Sequence, residues 1–327
     1  MPPRLARLLA AVVAIALVAG AFALRGGLSD DEDDTTSGPS AEEPSDGDDT
    51  AAGDYRVLCD EDLGEAACDA VAALPGVAVV EVLSWGEMQS RYTEERPPFD
   101  AWLTLDPMPA VFDFARDDLG AGALAAESRS VASSALTLLT FADRRLDCPG
   151  AEWGCVADAA ELQKVGVPSI GSSAGLLAAG GALRRLAGDG ALARGLDPAL
   201  DEGDTDGRLN DLVDSAPGAL DDQQETIVTQ VGRYAGIVTT SGYADGRIDR
   251  SPTRGLTAAP LAPGVIIGVA LAGLGDRGDD AVRALGDGIT DQTVLDALAE
   301  AGWEGGPDPS TGLPQADIIY ALQERLG

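Results

Sequence analysis

The chain has 327 residues, enough for two lobes with their own cores, and 45% of them are hydrophobic, as in a globular protein. A formal net charge of −33 sets it against nucleic acid and anionic membrane surfaces, both of which it would repel. There is no histidine, so a Ser-His-Asp triad has no base and a zinc site would have to use all four cysteines.

Arg4 and Arg7 precede an uncharged run over residues 8–24, and Ala21-Phe22-Ala23 forms an A-x-A-like cleavage site. Residues 1–25 read as a signal peptide or a transmembrane anchor. Either places the remainder outside the cytoplasm, because the positive end stays inside. Contact with a membrane is expected through this segment alone. Residues 26–53 carry acidic residues and almost no aliphatic side chains. Their like charges repel and extend the chain, giving a disordered acidic linker.

Strands and helices then alternate. "YRVLC" (55–59) reads as a strand, and "DLGEAACDAVAAL" (62–74) as a helix that ends at Pro75-Gly76. "VAVVEVLSW" (77–85) is a valine-rich strand, and "GEMQSRYTEE" (86–95) a helix stopped by Pro97-Pro98. "FDAWLTL" (99–105) is a third strand, "PAVFDFARDDLG" (109–120) a short helix, and "RSVASSALTLLTFA" (129–142) a fourth strand region. "AAELQKVGVPSI" (159–170) gives a helical turn and a short strand. "SSAGLLAAGGALRRLAG" (172–188) is a helix capped by Ser172 or Ser173. A polar loop is expected over 195–220, a helix over 221–233, a strand over 234–244 and a long apolar β stretch over 255–273. Amphipathic helices over 279–290 and 291–303 close the pattern. Such alternation predicts parallel sheets covered on both faces.

Four cysteines allow three pairings, and the two local ones, Cys59 with Cys68 and Cys148 with Cys155, are the most economical. They suit an oxidising compartment. Neither spacing is C-x-x-C, which argues against redox catalysis.

The order of elements resembles that of a bacterial extracytoplasmic solute-binding protein of the two-lobed type 2 fold, nearest in style to the molybdate-binding group. The likeness lies in "VLCDEDLGEAAC", "FDAWLTLDPMPAVFD", "SSALTLLTFADR", "VGVPSIGSSAGLLAAGGAL", "YAGIVTTSGYA" and "LAEAGW…GLP", over residues 55–327. It implies an α/β fold with a mixed, mostly parallel sheet in each lobe. Residues 54–138 and 243–327 would form lobe 1, and residues 139–242 lobe 2. The sequence departs from the pattern after the first strand. Oxyanion binders of the family present serines and backbone N–H groups there, whereas this chain has Cys59-Asp60-Glu61-Asp62. Carboxylates at that point would repel an anion.

In such a fold ligands sit at the carboxyl ends of strands. That selects Asp60, Glu61, Ser84, Trp85 and Asp106 from the first lobe, with Glu87 beside them. Ser133 and Ser134 lie at the first crossing, Gly171, Ser172 and Ser173 in the second lobe, and Thr239, Thr240 and Ser241 at the return. Together they predict a polar, net-negative cleft suited to a small polar solute. Each also has a plain structural role: helix cap, β packing or core.

Gly171-Ser172-Ser173-Ala174-Gly175 fits the G-x-S-x-G pattern of a nucleophile elbow. With no histidine and Lys164 as the single lysine, Ser173 has no base to activate it, and its expected role is to hold rather than attack. Glu202, Asp204 and Asp206 partly match a calcium loop, but Val213 falls at the twelfth position and cannot ligate. Neither enzyme chemistry nor a cofactor or metal is expected. Two functions remain open. One is capture of a small polar solute between the lobes for transport or sensing, with a permease or signalling protein as partner. The other is a degenerate relative that acts as a membrane-tethered extracellular sensor or protein-interaction module without a small ligand.

Overall fold

The computed structural model describes residues 54–141, 146, 148–162, 165–215, 234–251 and 255–327. The expected leader, the acidic linker and the helix over 221–233 lie outside the described residues. No described helix is long and apolar enough to cross a membrane.

The central strands are apolar on both faces, which is the pattern of a covered sheet. Strand β1 (Tyr55–Asp60) is buried at every position except Arg56 and pairs in parallel with β2 (Val77–Leu83) and β3 (Ala101–Asp106). Helix α1 (Glu65–Ala72) follows β1 through a tight turn at Gly64, whose φ of 85° favours glycine. Helix α2 (Trp85–Tyr92) follows β2, and α3 (Met108–Asp118) follows β3.

Strand β4 (Ala125–Phe141) is 17 residues long and organises the rest. Its first part, up to Ala135, pairs antiparallel with β8 (Ile266–Leu274). From Leu136 on it lies between β6 (Gly236–Thr240) and β7 (Leu256–Pro260), antiparallel to both. The short β5 (Val165–Gly166) continues the second part in parallel with β6. The strand order is β2-β1-β3-β8-β4-β6-β5, with β7 paired to β4 off that path. The sheet is therefore mixed. Pairing is parallel among β2, β1 and β3, and antiparallel wherever β4 or β8 takes part with β3, β6 or β7. The expected dominance of parallel pairs fails because a strand that crosses between two halves must meet its returning partner head to tail.

The return crossing comes later than expected. After β6 the chain turns directly into α7 (Ser241–Arg250) and folds back, so that β7 still pairs with the second part of β4. The crossing is made at residues 261–265, between β7 and β8. There the Leu136 N–H donates to the Val265 carbonyl (2.8 Å), and the Leu261 N–H donates to the Leu136 carbonyl (3.1 Å). The stretch read as one long strand is thus two strands broken at the crossing.

Helices α4 (Trp153–Glu161), α5 (Ser173–Ala187) and α6 (Thr205–Asp214) pack on one another in the second half. Where a loop is expected over 195–220, the described part, 195–215, contains α6 and a helical turn at Leu196–Leu200. Leu200, Leu209 and Leu212 are buried and supply the apolar face that its many acidic residues obscured. Helices α8 (Gly278–Ile289) and α9 (Gln292–Glu300) follow as expected, and α10 (Ala316–Leu326) ends the chain. Both local disulfides are present, Cys59–Cys68 and Cys148–Cys155. One apolar cluster runs through both halves, from Leu58 and Leu103 to Leu176 and Val238, so the halves are packed onto each other.

The start of α5 is set by a backbone contact. A Cβ at Gly175 would lie 1.8 Å from the Ser169 carbonyl oxygen, so only glycine lets the first turn rest on that loop. We expect Gly175→Ala to lower stability by about 3 kcal/mol or more in urea denaturation. Gly190→Ala meets nothing within 4 Å and should change it by less than about 0.5 kcal/mol.

Candidate functional site

At the carboxyl end of β1 the chain turns through a short 3-10 helix, Glu61–Leu63, which aims two carboxylates at the start of α5. Asp60 is 1% exposed. Its Oδ2 accepts from the Ser173 hydroxyl and from the Thr104 hydroxyl of β3, both at 2.6 Å. Its Oδ1 accepts from the Asp62 N–H at 3.1 Å. Asp62, half-buried, accepts the Ala174 N–H on Oδ2 at 2.7 Å. The Trp303 indole, after α9, donates to the Asp62 carbonyl at 3.3 Å.

The first turn of α5 is built to meet such groups. Ser172 is its N-cap: the hydroxyl accepts from the Gly175 N–H (3.1 Å) and donates to the Ser169 carbonyl (2.9 Å). Ser173 is fully buried, and its hydroxyl points at Asp60. A first-turn N–H group without a partner inside its own helix and a buried hydroxyl beside it form an anion seat. Here the anion is a side chain of the same protein.

Two carboxyls in one closed place cannot both ionise freely. Burial pushes Asp60 up from the ordinary carboxylate value, against the hydrogen bonds from Ser173, Thr104 and the Asp62 N–H. Burial also pushes Asp62 up to about 8, and the negative charges of Asp60 and Glu61 add to it. The two titrate as a pair.

The other expected site residues fall into three groups. Ser133 and Ser134 are buried on β4. The Ser133 carbonyl accepts the Gly305 N–H (2.8 Å), and the Ser134 hydroxyl meets that of Ser241 (3.1 Å). Thr239 and Thr240 are buried on β6, and Gly302 lies against Thr240. Asp106 is half-buried at the end of β3. Its carboxylate accepts the Ser310 N–H (2.9 Å), and its carbonyl accepts the Ser310 hydroxyl. Of these, Ser133, Thr240 and Asp106 are met by the segment between α9 and α10, whereas Ser134 meets Ser241 and the Thr239 hydroxyl has no hydrogen-bond partner among the described residues.

Ser84 and Trp85 lie elsewhere in function. Ser84 is the N-cap of α2 and forms a capping box with Glu87. Trp85 is 1% exposed and packs against Trp102, with ring centroids 6.3 Å apart, and edge-on to Phe112. It is core rather than a wall for a ligand. Glu61 and Gly171 are exposed.

Asp62, Thr104, Trp303 and Ser310 were not among the expected site residues. Asp62 was visible as an acidic departure from the family pattern; its bond to a residue 112 positions away was not. Among the described residues no group of three or more acidic or cysteine side chains is placed to hold a metal ion.

No protein-family model matches the chain, and no curated protein matches it. Solved structures do. The chain is similar to the apo ferric ion-binding protein A of Pasteurella haemolytica, with 16% identity and a TM-score of 0.56 over 84% of this chain and 96% of that one. It is similar to iron-bound HitA from Pseudomonas aeruginosa, with 14% identity and a TM-score of 0.55 over 84% and 99%. It is also similar to a periplasmic thiamin binding protein, with 12% identity and a TM-score of 0.55 over 83% and 92%. The fold is thus α/β, two-lobed and periplasmic-binding-protein-like. The likeness does not single out the molybdate-binding group.

Removing either hydroxyl donor would leave the buried Asp60 short of a partner. Thr104→Val and Ser173→Ala should each cost about 1–3 kcal/mol in urea denaturation. Thr239 has a buried hydroxyl with no hydrogen-bond partner among the described residues, so Thr239→Val should be neutral or stabilising.

Proposed function

We propose that this chain is an extracytoplasmic protein of solute-binding architecture whose inter-lobe groove is filled by its own side chains. It works as a tethered extracellular sensor or protein-interaction module, without a small ligand in that groove. One observation carries the reading: Asp60 and Asp62 occupy the Ser173 hydroxyl and the Ala174 N–H, the groups a carrier would offer to its solute. The segment around Gly305 and Ser310 supports it by taking up Ser133 and Asp106. Residues 1–25 would serve as the leader or anchor, and 26–53 as the spacer.

A second reading is favoured by the fold, whose neighbours include ferric ion- and thiamin-binding proteins. In it a small polar solute enters between the lobes, contacts Asp60, Ser172, Ser173, Ser134 and Thr240, and is passed to a permease. That solute would have to displace both carboxylates.

A thermal-shift screen of the full chain against amino acids, polyamines, sugars, oxyanions and divalent metals separates the two. A solute at a hundredfold its Kd stabilises by about 2.7 kcal/mol, or about 4–5 °C in Tm for a protein of this size. We expect no compound to reach that shift. A shift of that size that Ser173→Ala abolishes would overturn the filled-groove reading in favour of the second.

A further inference from the structure

We infer that the contact between the end of β1 and the start of α5 is a proton-held latch: the halves stay shut while the Asp60–Asp62 pair keeps a proton, and part when the pair ionises fully. The inference rests on the filled-groove reading and adds a control to it.

The geometry sets the condition. Two carboxylates from residues two apart converge on adjacent residues of one helix, Ser173 and Ala174, and Asp60 also accepts the Asp62 N–H. The groups facing them from each neighbouring element are few. Glu61, from the same turn, is a third acid. Strand β3 offers the Thr104 hydroxyl, α5 the hydroxyls of Ser172 and Ser173 and the positive end of its dipole, and the segment after α9 the Trp303 indole. None of these is a cationic side chain, and no described arginine pairs with Asp60 or Asp62.

Magnitudes decide the sign. A helix N-terminus favours a negative charge by about 0.3–2 kcal/mol. Burying an unpaired ion costs several kcal/mol, and two like charges in contact cost more. Full ionisation therefore works against closure. In the open state both carboxyls return to water and to their ordinary range. The closed state then binds more protons than the open one between about pH 4 and pH 8. Closure is strongest below that window and is lost as the pH rises through it. The opening constant grows by up to about tenfold per pH unit for each proton the pair gives up across this window.

The Ala174 N–H is itself a donor of the latch, so its hydrogen exchange in the full chain, corrected for the intrinsic pH dependence, reads the opening. We expect its protection to fall by up to about tenfold per unit from pH 5.5 to 8.0. In Asp62→Asn, which keeps an acceptor for Ala174 and removes one of the two charges, the fall in protection should be shallower than in the wild type, with Asp60 alone left to titrate. Equal protection of the wild-type amide at both ends overturns the proton control and leaves the filled groove standing. An amide unprotected throughout overturns the filled-groove reading itself. If the variant does not fold, carboxyl 13C titration of the wild type decides. Retention of one proton by the pair at pH 6.5 supports the latch, and two carboxyls both ionised by pH 5.5 overturn it.

Discussion

The fold closes on a carboxylate placed where a helix would otherwise receive an external anion. Asp60 is reached from β1, held by Thr104 of β3 and met by Ser173 of α5, so one buried side chain joins three elements. Its neighbour Asp62 binds the next N–H of the same helix and offers its carbonyl to Trp303. Removing water from these groups without pairing them would cost several kcal/mol, so each must find its partner in the closed state or the closed state fails. This requirement fixes the angle at which the start of α5 meets the end of β1. It also explains why α5 begins with two serines and a glycine seated on the Ser169 backbone.

The second constraint is steric. The segment from Gly302 to Ser310 passes between the halves without side chains at the tightest points. A Cβ at Gly305 would lie 2.5 Å from the Ser133 hydroxyl, and one at Gly242 would lie 2.8 Å from the Gly302 carbonyl oxygen. Backbone can then approach backbone closely enough for Gly305 to donate to Ser133. The crossing at Leu136 and residues 261–265 lies in the same region, with its own pair of backbone bonds. Closure thus has two parts: a polar contact at the carboxyl end of β1, and a tight main-chain seam along β4.

Much of this was legible where the signal is local. The valine-rich run of β2, the apolar spacing of α8 and α9, the Ser172 cap, and two cysteine pairs closing short loops all follow from neighbours in sequence. What depended on distant partners was not. Helix α7 was hidden because Ser241 follows β6 with no glycine or proline between them, and its packing face is set by Leu139, Ile237 and Leu256. Helix α6 was hidden because acidic residues surround its two buried leucines. The antiparallel partnership of β4 with β8 joins residues more than 130 positions apart. At the site, Asp60 and Ser173 were both selected from strand ends and helix starts, but their mutual bond spans 113 positions. The acidic run at 60–62 signalled that an anion is unwelcome. It did not reveal that the run itself supplies one.

The balance at this contact is narrow by construction. Across the halves, Asp60 gains the Ser173 hydroxyl and Asp62 gains the Ala174 N–H. Hydrogen bonds to charged groups contribute about 1.5–3 kcal/mol each. Against them stands the desolvation of two acids, several kcal/mol per ion. With both acids charged the terms nearly cancel or turn against closure; with one neutral, the bonds remain and the largest opposing term falls away. A salt bridge to an arginine would remove this sensitivity, and among the described residues no such ion pair reaches Asp60 or Asp62; Arg184 pairs with Asp189 and Arg277 with Asp100. A contact made from two acids and a helix end is therefore one whose strength is set by protons and not by its geometry alone.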